Sequence, residues 1–458
     1  MLLPGDAGYE SRIESCWSAS SQLRSFCIVQ PRTKHDLAVT VRTLAACGRG
    51  EFAVRSGGHS HWAGGGNINN GVTIDLIHFK TISYDPALKM ASLGPAQRWG
   101  DVYKALEPEG VMVAGGRDGD VGVGGLLTGG GNSYYAGRKG FACDNVVNAE
   151  VVLADGTIVE ANANVNKDLW KALKGGLSNF GIVTRFDVHA FAAPQLWGGL
   201  RASSASHADA LIDALVNFTD DNLKHPEAAF IINFTYQPGL SPGIIVAHVI
   251  IDADGVQNAP VFDEVQRIPA FFSDIKTRPM SGVANDYILP SGLRNVWFTL
   301  TFKNDKRVVK VAAELHNALV KDLLESIPAG DLVTQSLFQP IPKLFADIGV
   351  ANGGNVLGLD KAEGNSLLWL CAASCRTPEE EAIVYRKCRA MTADLKQYAE
   401  SISAIVPWIY VNYADPSQDA LSSYGVENVE YMWQVAQRYD PDGVFQNLVT
   451  GSFRLPKH

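Results

Sequence analysis

The chain has 458 residues, of which 46% are hydrophobic and 19% charged, a composition that predicts a globular protein of about two domains. The net charge of -9 and the absence of basic clusters argue against a nucleic-acid partner. No apolar run reaches the length of about eighteen residues that a membrane-spanning helix needs.

The N-terminal stretch MLLPGDAGYESR lacks the positive and apolar regions of a signal peptide. Cytoplasmic and secreted locations, the latter with a longer N-terminus, therefore both stay open. The seven cysteines do not have the spacing of a zinc site, and no metal is expected. Cys16 and Cys27 could pair in an oxidising compartment, although nothing in the sequence requires it.

A helix, a strand and a glycine-rich loop are predicted next along the chain. Residues 34–48 have a helix-like apolar face that ends at a glycine, and residues 52–54 form a short apolar run typical of a buried strand. The loop after this strand reads Arg55, Ser56, Gly57, Gly58, His59 and Ser60. Adjacent glycines let the backbone turn and present N–H groups to anionic oxygens, and Arg55 adds a charge suited to phosphate. Taken alone, these residues fit a surface loop with a structural histidine equally well.

A second glycine cluster, residues 115–131, follows another apolar run at residues 111–113. Between the two clusters, residues 72–76 predict a strand and residues 99–109 a helix. Neither cluster matches the dinucleotide or Walker fingerprints, because Leu127 occupies the third glycine position of the second cluster. Two glycine-dense turns that each follow a strand suggest two loops closing on one extended ligand.

The pattern of predicted elements changes at about residue 196. Before it, a hairpin at residues 151–159 and a strand at residues 181–190 complete a mixed α+β region. After it, strands rich in β-branched and aromatic residues are predicted at 228–236, 243–251, 295–302 and 367–373, with long helices at 306–326 and 378–401. This order favours an antiparallel sheet backed by helices. Residues 409–412 then alternate as a strand does, and residues 427–438 predict a helix.

Together these motifs resemble the berberine-bridge-enzyme branch of the vanillyl-alcohol-oxidase flavoprotein superfamily, in particular its fungal secondary-metabolite members. The match includes the two glycine loops and the segments GFACDNV at 140–146, VVLADG at 151–156, DLWKALKGG at 168–176, NFGIV at 179–183 and YVNYAD at 410–415. The resemblance implies an α+β fold with a two-part FAD-binding domain of the vanillyl-alcohol-oxidase type. Residues 1–194 would bind FAD, residues 195–404 would form the substrate domain, and residues 405–458 would return to the FAD domain.

The resemblance also implies which residues hold FAD. In this family the R-x-G-G-H loop cradles the pyrophosphate, and its histidine, here His59, is bonded to a methyl group of the isoalloxazine ring. The cofactor-binding residues carried over are Arg55, Ser56, Gly57, Gly58, His59, Ser60, Val121, Gly122, Gly124, Gly125, Asn145, Val146, Gly181, Ile182 and Asn412. Many members have a second link through a cysteine, but Asp118 stands at that position and cannot form a thioether. A single link is therefore expected, since Cys143 is a poor substitute.

The implied chemistry is oxidation of a small organic molecule by hydride transfer to FAD. Tyr413 would be the catalytic base and Tyr410 a second catalytic tyrosine of the site. Because the ordinary pKa of a phenol is about 10, it must be lowered, or the phenol paired with another group, for a tyrosine to act as a base near neutral pH. A small residue at Val121 favours dioxygen as acceptor, with release of hydrogen peroxide. A dehydrogenase, a carbohydrate oxidase, a non-redox FAD-containing cyclase and a binding protein without catalysis are the alternatives. The protein is expected to be a monomer, with a substrate pocket that includes Trp297, Phe338 and Gln339.

Overall fold

The computed structural model describes residues 1–48, 50–451 and 453–456. Its helices, in chain order, are α1 (Tyr9–Glu14), α2 (Lys34–Cys47), α3 (Trp99–Leu106), α4 (Val123–Thr128), α5 (Ala136–Lys139), α6 (Lys167–Leu173), α7 (Ala208–Asp221), α8 (Asp263–Arg267), α9 (Met280–Asp286), α10 (Lys306–Leu324), α11 (Lys343–Ala351), α12 (Pro378–Ser401), α13 (Val426–Tyr439) and α14 (Val444–Asn447). Its strands are β1 (Cys27–Val29), β2 (Phe52–Arg55), β3 (Val72–Asp75), β4 (Ile82–Asp85), β5 (Met90–Leu93), β6 (Val111–Val113), β7 (Val146–Val152), β8 (Ile158–Asn162), β9 (Ile182–Ala192), β10 (Leu196–Ser204), β11 (Ala228–Tyr236), β12 (Ile245–Asp252), β13 (Phe272–Ser273), β14 (Lys276–Arg278), β15 (Arg294–Lys303), β16 (Val333–Ile341), β17 (Ser366–Cys375) and β18 (Ile405–Val406).

The first part of the chain forms two sheets with helices against them. β1, β3 and β2 lie side by side in a small parallel sheet, and β4, β5, β9, β7 and β8 form an antiparallel sheet with β6 on β9. The predicted helix at 34–48 is α2, which starts with a capping box of Thr33 and Asp36 and ends at Gly48 with a φ of 62°. Its apolar face, with Leu37 and Val41, packs on the small parallel sheet. The α+β prediction is confirmed.

The later part of the chain forms a large antiparallel sheet in the order β13-β10-β12-β11-β16-β17-β15-β18, with β14 also on β10. The helices α7, α10 and α12 cover one face of this sheet. The alternation of side chains along each strand therefore separates a helix-covered face from a second face. On β15 and β17, for example, Phe298 and Trp369 pack under the helices, whereas Trp297 and Leu370 lie on the second face. The prediction of an antiparallel sheet backed by helices is confirmed.

The segment after β18 departs from the prediction. Residues 407–413 form irregular backbone and turns instead of the expected strand. They leave the large sheet and run beside the second glycine loop, where the Tyr410 hydroxyl accepts hydrogen bonds from the backbone N–H groups of Gly131 and Asn132. The Tyr410 side chain thus ties this segment to the second glycine loop. The predicted helix at 427–438 is α13.

Three expectations about covalent and membrane features can be compared with the structure. All seven cysteines belong to the described part of the chain and are unpaired, including Cys16 and Cys27. Among residues 1–48, 50–451 and 453–456, no group of three or more His, Cys, Asp or Glu side chains could hold a metal ion. None of the described helices combines the length and apolar character needed to cross a bilayer.

Candidate cofactor and substrate site

A cavity of about 380 Å³ lies where the two glycine loops, the start of β9 and residues 410–413 meet the second face of the large sheet. This volume is typical of sites for small molecules. Most of the motif residues line it, namely Arg55, Ser56, Gly57, Gly58, His59, Ser60, Val121, Gly122, Gly124, Gly125, Gly181, Ile182, Tyr410, Asn412 and Tyr413. The fold therefore brings together loops that are far apart in sequence.

The first glycine loop presents unused backbone donors. The N–H groups of Gly57, Gly58, His59, Ser60 and His61 donate no hydrogen bond to any described residue. Buried or cavity-facing amides rarely remain without an acceptor in a native structure, so they indicate a ligand rich in oxygen atoms. Consecutive amides of this kind form a concave site for an anion such as a phosphate.

The two glycine loops touch each other through their backbones. A Cβ atom added to Gly57 would lie 2.4 Å from the Cα of Gly122, and one added to Gly122 would lie 2.6 Å from the Cα of Gly57. Any side chain at either position would therefore separate the loops. Glycine is therefore needed at both positions for the close approach of the two loops.

The Arg55 guanidinium, which was predicted to face a phosphate, contacts the N-terminal segment of the chain instead. Its guanidinium donates to the Arg12 carbonyl at 2.6 Å and to the Ser15 hydroxyl at 3.0 Å, and the side chain is buried. It also lies directly beneath Gly58. Arg55 therefore fastens the N-terminal segment under the loop. Arg98, which carries no motif, instead reaches the first loop and donates to the Gly57 carbonyl at 3.0 Å.

His59 is held with one ring nitrogen unused. Its imidazole stacks on Trp17 with ring centroids 4.3 Å apart and an angle of 14° between the planes. Its Nε2 atom is buried and has no hydrogen-bond partner among the described residues. Burial, together with the nearby Arg98 guanidinium, lowers the pKa of His59 to about 3. The imidazole is therefore neutral near neutral pH and keeps a lone pair available for bonding.

His61 lines the same cavity as His59. Its ring stacks on Trp297 at 4.7 Å with an angle of 16°, and burial lowers its pKa to about 3. Its Nε2 also lacks a partner within the part of the chain that the structure describes. The geometry therefore does not separate the two histidines, and the motif position alone assigns the covalent role to His59.

The second glycine loop contains a short helix that the sequence did not indicate. Gly122 caps α4, and Gly124 packs against Ser56 and Pro95 of the neighbouring loops. The Asp118 carboxylate accepts from the backbone N–H groups of Asp120 at 2.8 Å and Leu289 at 3.0 Å. Burial raises the pKa of Asp118. Asp118 therefore occupies the wall of the cavity without offering a nucleophilic sulfur.

Tyr413 lies in a polar network built from distant parts of the chain. Its hydroxyl oxygen accepts from Arg117 Nη2 at 2.8 Å and from Gln339 Nε2 at 3.2 Å. The Gln339 carbonyl oxygen in turn accepts from Arg117 Nη2 at 2.5 Å and from Asn132 Nδ2 at 3.1 Å. The network fixes the phenol and places the guanidinium of Arg117 beside its oxygen.

Tyr410 does not share this environment. It is buried, and its hydroxyl accepts from the N–H groups of Gly131 at 3.1 Å and Asn132 at 2.8 Å and from Asn412 Nδ2 at 3.1 Å. Burial raises the pKa of the Tyr410 phenol. The catalytic role of Tyr410 stays a prediction, and the observed contacts give its oxygen a structural role, which is to hold residues 410–413 to the second glycine loop.

We expect Tyr410→Phe to lower the free energy of unfolding while having only a small effect on the rate of flavin reduction by substrate. The substitution leaves two buried N–H groups without an acceptor, a loss worth about 1–3 kcal/mol of unfolding free energy for each unsatisfied group. Chemical denaturation would measure this loss. A variant of normal stability that is catalytically dead would contradict the assignment.

Some predicted residues lie away from the cavity. Asn145 is buried and donates to the carbonyl oxygens of Lys139 and Phe141, and Val146 is buried in the main core. Their position does not support the prediction that they bind the cofactor. Phe338 packs under the helices, because it neighbours Gln339 on β16 and adjacent residues of a strand face opposite sides.

The described residues fit FAD. The first loop offers a cradle of unpartnered amides for a diphosphate, and His59 offers a neutral, buried imidazole nitrogen. The contact between Gly57 and Gly122 closes the two loops on one side of the cavity. These observations are independent of one another. A cofactor that contains both a diphosphate and a ring system accounts for all of them.

Comparisons with known proteins agree with this fit. A family model described as an FAD binding domain matches residues 26–162. The FAD-dependent monooxygenase drtC of Aspergillus calidoustus is 36% identical over 99% of this chain and 87% of that protein. The FAD-dependent monooxygenase sdcF of Emericella nidulans is 36% identical over 100% of this chain and 96% of that protein.

Solved structures share the fold at lower identity. The 6-hydroxy-D-nicotine oxidase of Arthrobacter nicotinovorans has a TM-score of 0.82 and 20% identity, covering 99% of this chain and 97% of that chain. The glucooligosaccharide oxidase of Acremonium strictum, described with a 6-S-cysteinyl, 8α-N1-histidyl FAD, has a TM-score of 0.77 and 20% identity, covering 97% of this chain and 95% of that chain. At such identities the likeness concerns the fold alone.

Proposed function

The chain belongs to the family of FAD-dependent oxidoreductases represented by these fungal relatives, and on that premise we propose that it is a berberine-bridge-type enzyme that oxidises a small organic substrate of secondary metabolism with FAD linked through His59 alone. The observation that carries the proposal is the buried, unpartnered Nε2 of His59 on the same cavity as Tyr413. Residues 1–194 and 405–458 would hold the cofactor in a monomer, and residues 195–404 would supply most of the substrate wall.

One set of groups would bind the cofactor, and another would transfer the proton. When bound, FAD supplies a two-electron acceptor for a hydride from the substrate and is reoxidised by dioxygen with release of hydrogen peroxide. The amides of residues 57–61 would hold the diphosphate, and His59 would hold the ring end of the cofactor. Tyr413 would act as the phenolate: its oxygen takes the proton from the substrate oxygen or nitrogen and becomes the neutral phenol, while Arg117 and Gln339 hold that oxygen in place.

The names of the relatives favour a second candidate. Both drtC and sdcF are called FAD-dependent monooxygenases, and a monooxygenase places one oxygen atom of dioxygen in its product. The oxidase and the monooxygenase differ in where the oxygen goes. Turnover under labelled dioxygen separates them: an oxidase yields labelled hydrogen peroxide and an unlabelled product, whereas a monooxygenase yields a labelled product.

The proposed function is tested with purified protein and a panel of oxidisable alcohols, amines and phenols. We expect substrate to bleach the flavin absorbance in the absence of air and to generate one hydrogen peroxide per dioxygen consumed in its presence. Bleaching that is reversed by an added dye but not by air would indicate a dehydrogenase. Turnover that persists with a reduced or deaza-flavin would indicate a non-redox role.

We expect Val121→Leu to slow the reoxidation of the reduced enzyme by air. Val121 lies on the cavity wall within the second glycine loop, where a larger side chain would fill space next to the cofactor. Anaerobic reduction by substrate should stay close to the wild-type rate. Stopped-flow measurement of both half-reactions tests this prediction, and equal reoxidation rates in the two proteins would show that Val121 does not control access of dioxygen.

A further inference from the structure

We propose that Arg117 binds an anionic oxygen of the substrate, so that the substrate is an amphipathic organic anion carrying a carboxylate or an ionised phenol or enol. The inference rests on the proposed function, because it specifies the substrate class of the same cavity. Arg117 places a positive charge on the cavity wall, and the surface beside this charge is apolar.

Arg117 is a cation without an acidic partner. No ion pair within residues 1–48, 50–451 and 453–456 includes Arg117, and its next neighbour Asp118 turns both carboxylate oxygens to backbone N–H groups. The contrast with Arg278 is instructive, since Arg278 is paired with Asp274 and Asp286. A partly buried charge left unpaired is costly in free energy, so a counter-charge from a ligand would be stabilising.

Part of the Arg117 guanidinium is available to a ligand. Nη2 donates to Tyr413 and Gln339, but Nε and Nη1 donate to no described residue and are not buried. A guanidinium has a fork of donors that matches the two oxygens of a carboxylate or the single oxygen of a phenolate. Because Arg117 also contacts Tyr413, an anion on this fork would lie beside the proposed base.

The surface next to this charge is apolar and aromatic. Trp297, Leu289 and Tyr413 line the cavity here, and the buried side chains of Trp17 and Leu370 pack behind them. Such a wall suits a planar or hydrophobic carbon skeleton. A carbohydrate would need hydrogen-bonding groups on this side, and Trp297 and Leu289 do not offer the array it requires. A hydrophobic skeleton with an acidic oxygen satisfies both the wall and the cation.

Binding of simple probes to the flavin-containing protein tests the proposal. Benzoate represents the carboxylate and 4-nitrophenolate the ionised phenol, while benzamide and 4-nitroanisole are neutral probes of similar shape. We expect calorimetric titration to give at least tenfold tighter binding for one or both anions than for the matching neutral compound, and the pair that shows the preference identifies the oxygen type. Arg117→Gln should abolish this preference, and Arg117→Lys should retain part of it.

The control is Arg267→Gln on α8, which removes a charge from an exposed ion pair far from the cavity and should leave the preference unchanged. A wild-type protein that binds neutral and anionic probes equally would overturn the proposal. An Arg117→Gln protein that keeps the anion preference would also overturn it. The same holds for an Arg117→Gln protein that loses its flavin but keeps the preference, because Arg117 would then contact the cofactor and not the substrate. A wild-type protein that prefers anions but carries no flavin would support this inference and contradict the proposed function.

Discussion

Tyr413→Phe is expected to slow the anaerobic reduction of the flavin by substrate about 10²- to 10⁴-fold, the usual contribution of a positioned general base. This corresponds to roughly 3–5 kcal/mol of activation free energy. The substitution removes one oxygen atom and keeps the ring, which packs edge-on against Trp297 and Tyr410. Arg117 and Gln339 keep their hydrogen bond to each other, so the network loses one member without collapsing.

Controls separate this effect from a general defect. Flavin content, thermal stability and the rate of reoxidation by air should stay near wild type in Tyr413→Phe. Tyr439→Phe provides a matched loss of a phenolic oxygen at a site between α13 and α6, where the hydroxyl contacts Asn166 and Asp168, and it should be reduced normally. Reduction of Tyr413→Phe at the wild-type rate would remove Tyr413 from the chemistry.

The second large effect is expected from alanine at the contact between the glycine loops. The added Cβ of Gly122→Ala or Gly57→Ala would meet backbone atoms at about the distances given above, and backbone cannot rotate aside as a side chain can. Overpacking of this kind typically lowers stability by about 1–3 kcal/mol. Because the loops would also separate around the cofactor, we expect most of the flavin to be lost on purification.

A matched variant exists in the same cluster. A Cβ added to Gly125 would meet no protein atom within 4 Å, so Gly125→Ala should leave the unfolding free energy unchanged or slightly higher. Thermal melts of the three variants, together with the ratio of flavin to protein absorbance, test the comparison. Normal flavin content in Gly122→Ala would mean that the loops need not touch to hold the cofactor.

The sequence predicted well those elements whose residues repeat at a regular spacing. The apolar period of α12 and the β-branched run of β11 gave the bounds that the structure has. β16, which contains Pro340 near its end, was not among the predicted strands. The omission of β16 from the prediction affected the site. The pairing of β16 with its neighbours decides that Gln339, and not Phe338, faces Tyr413.

Motifs located the site but did not give the direction of its side chains. Arg55 belongs to the motif, yet its partners, Arg12 and Ser15, lie in an N-terminal segment without a recognisable pattern. Arg117 and Tyr413 are 296 residues apart, so only the folded chain could show that they share a hydrogen bond. The tertiary contacts of single polar side chains have no periodic trace in a sequence.

The most direct measurement is the mass of the peptide that contains His59. After acid precipitation and proteolysis of the purified protein, we expect this peptide to carry the added mass of one FAD, and the peptide that contains Cys143 to be unmodified. His59→Ala should fold, because the amides of the loop remain, but should release its flavin on precipitation. A flavin that is freely extracted from the wild-type protein, or one attached to another residue, would contradict the single link through His59.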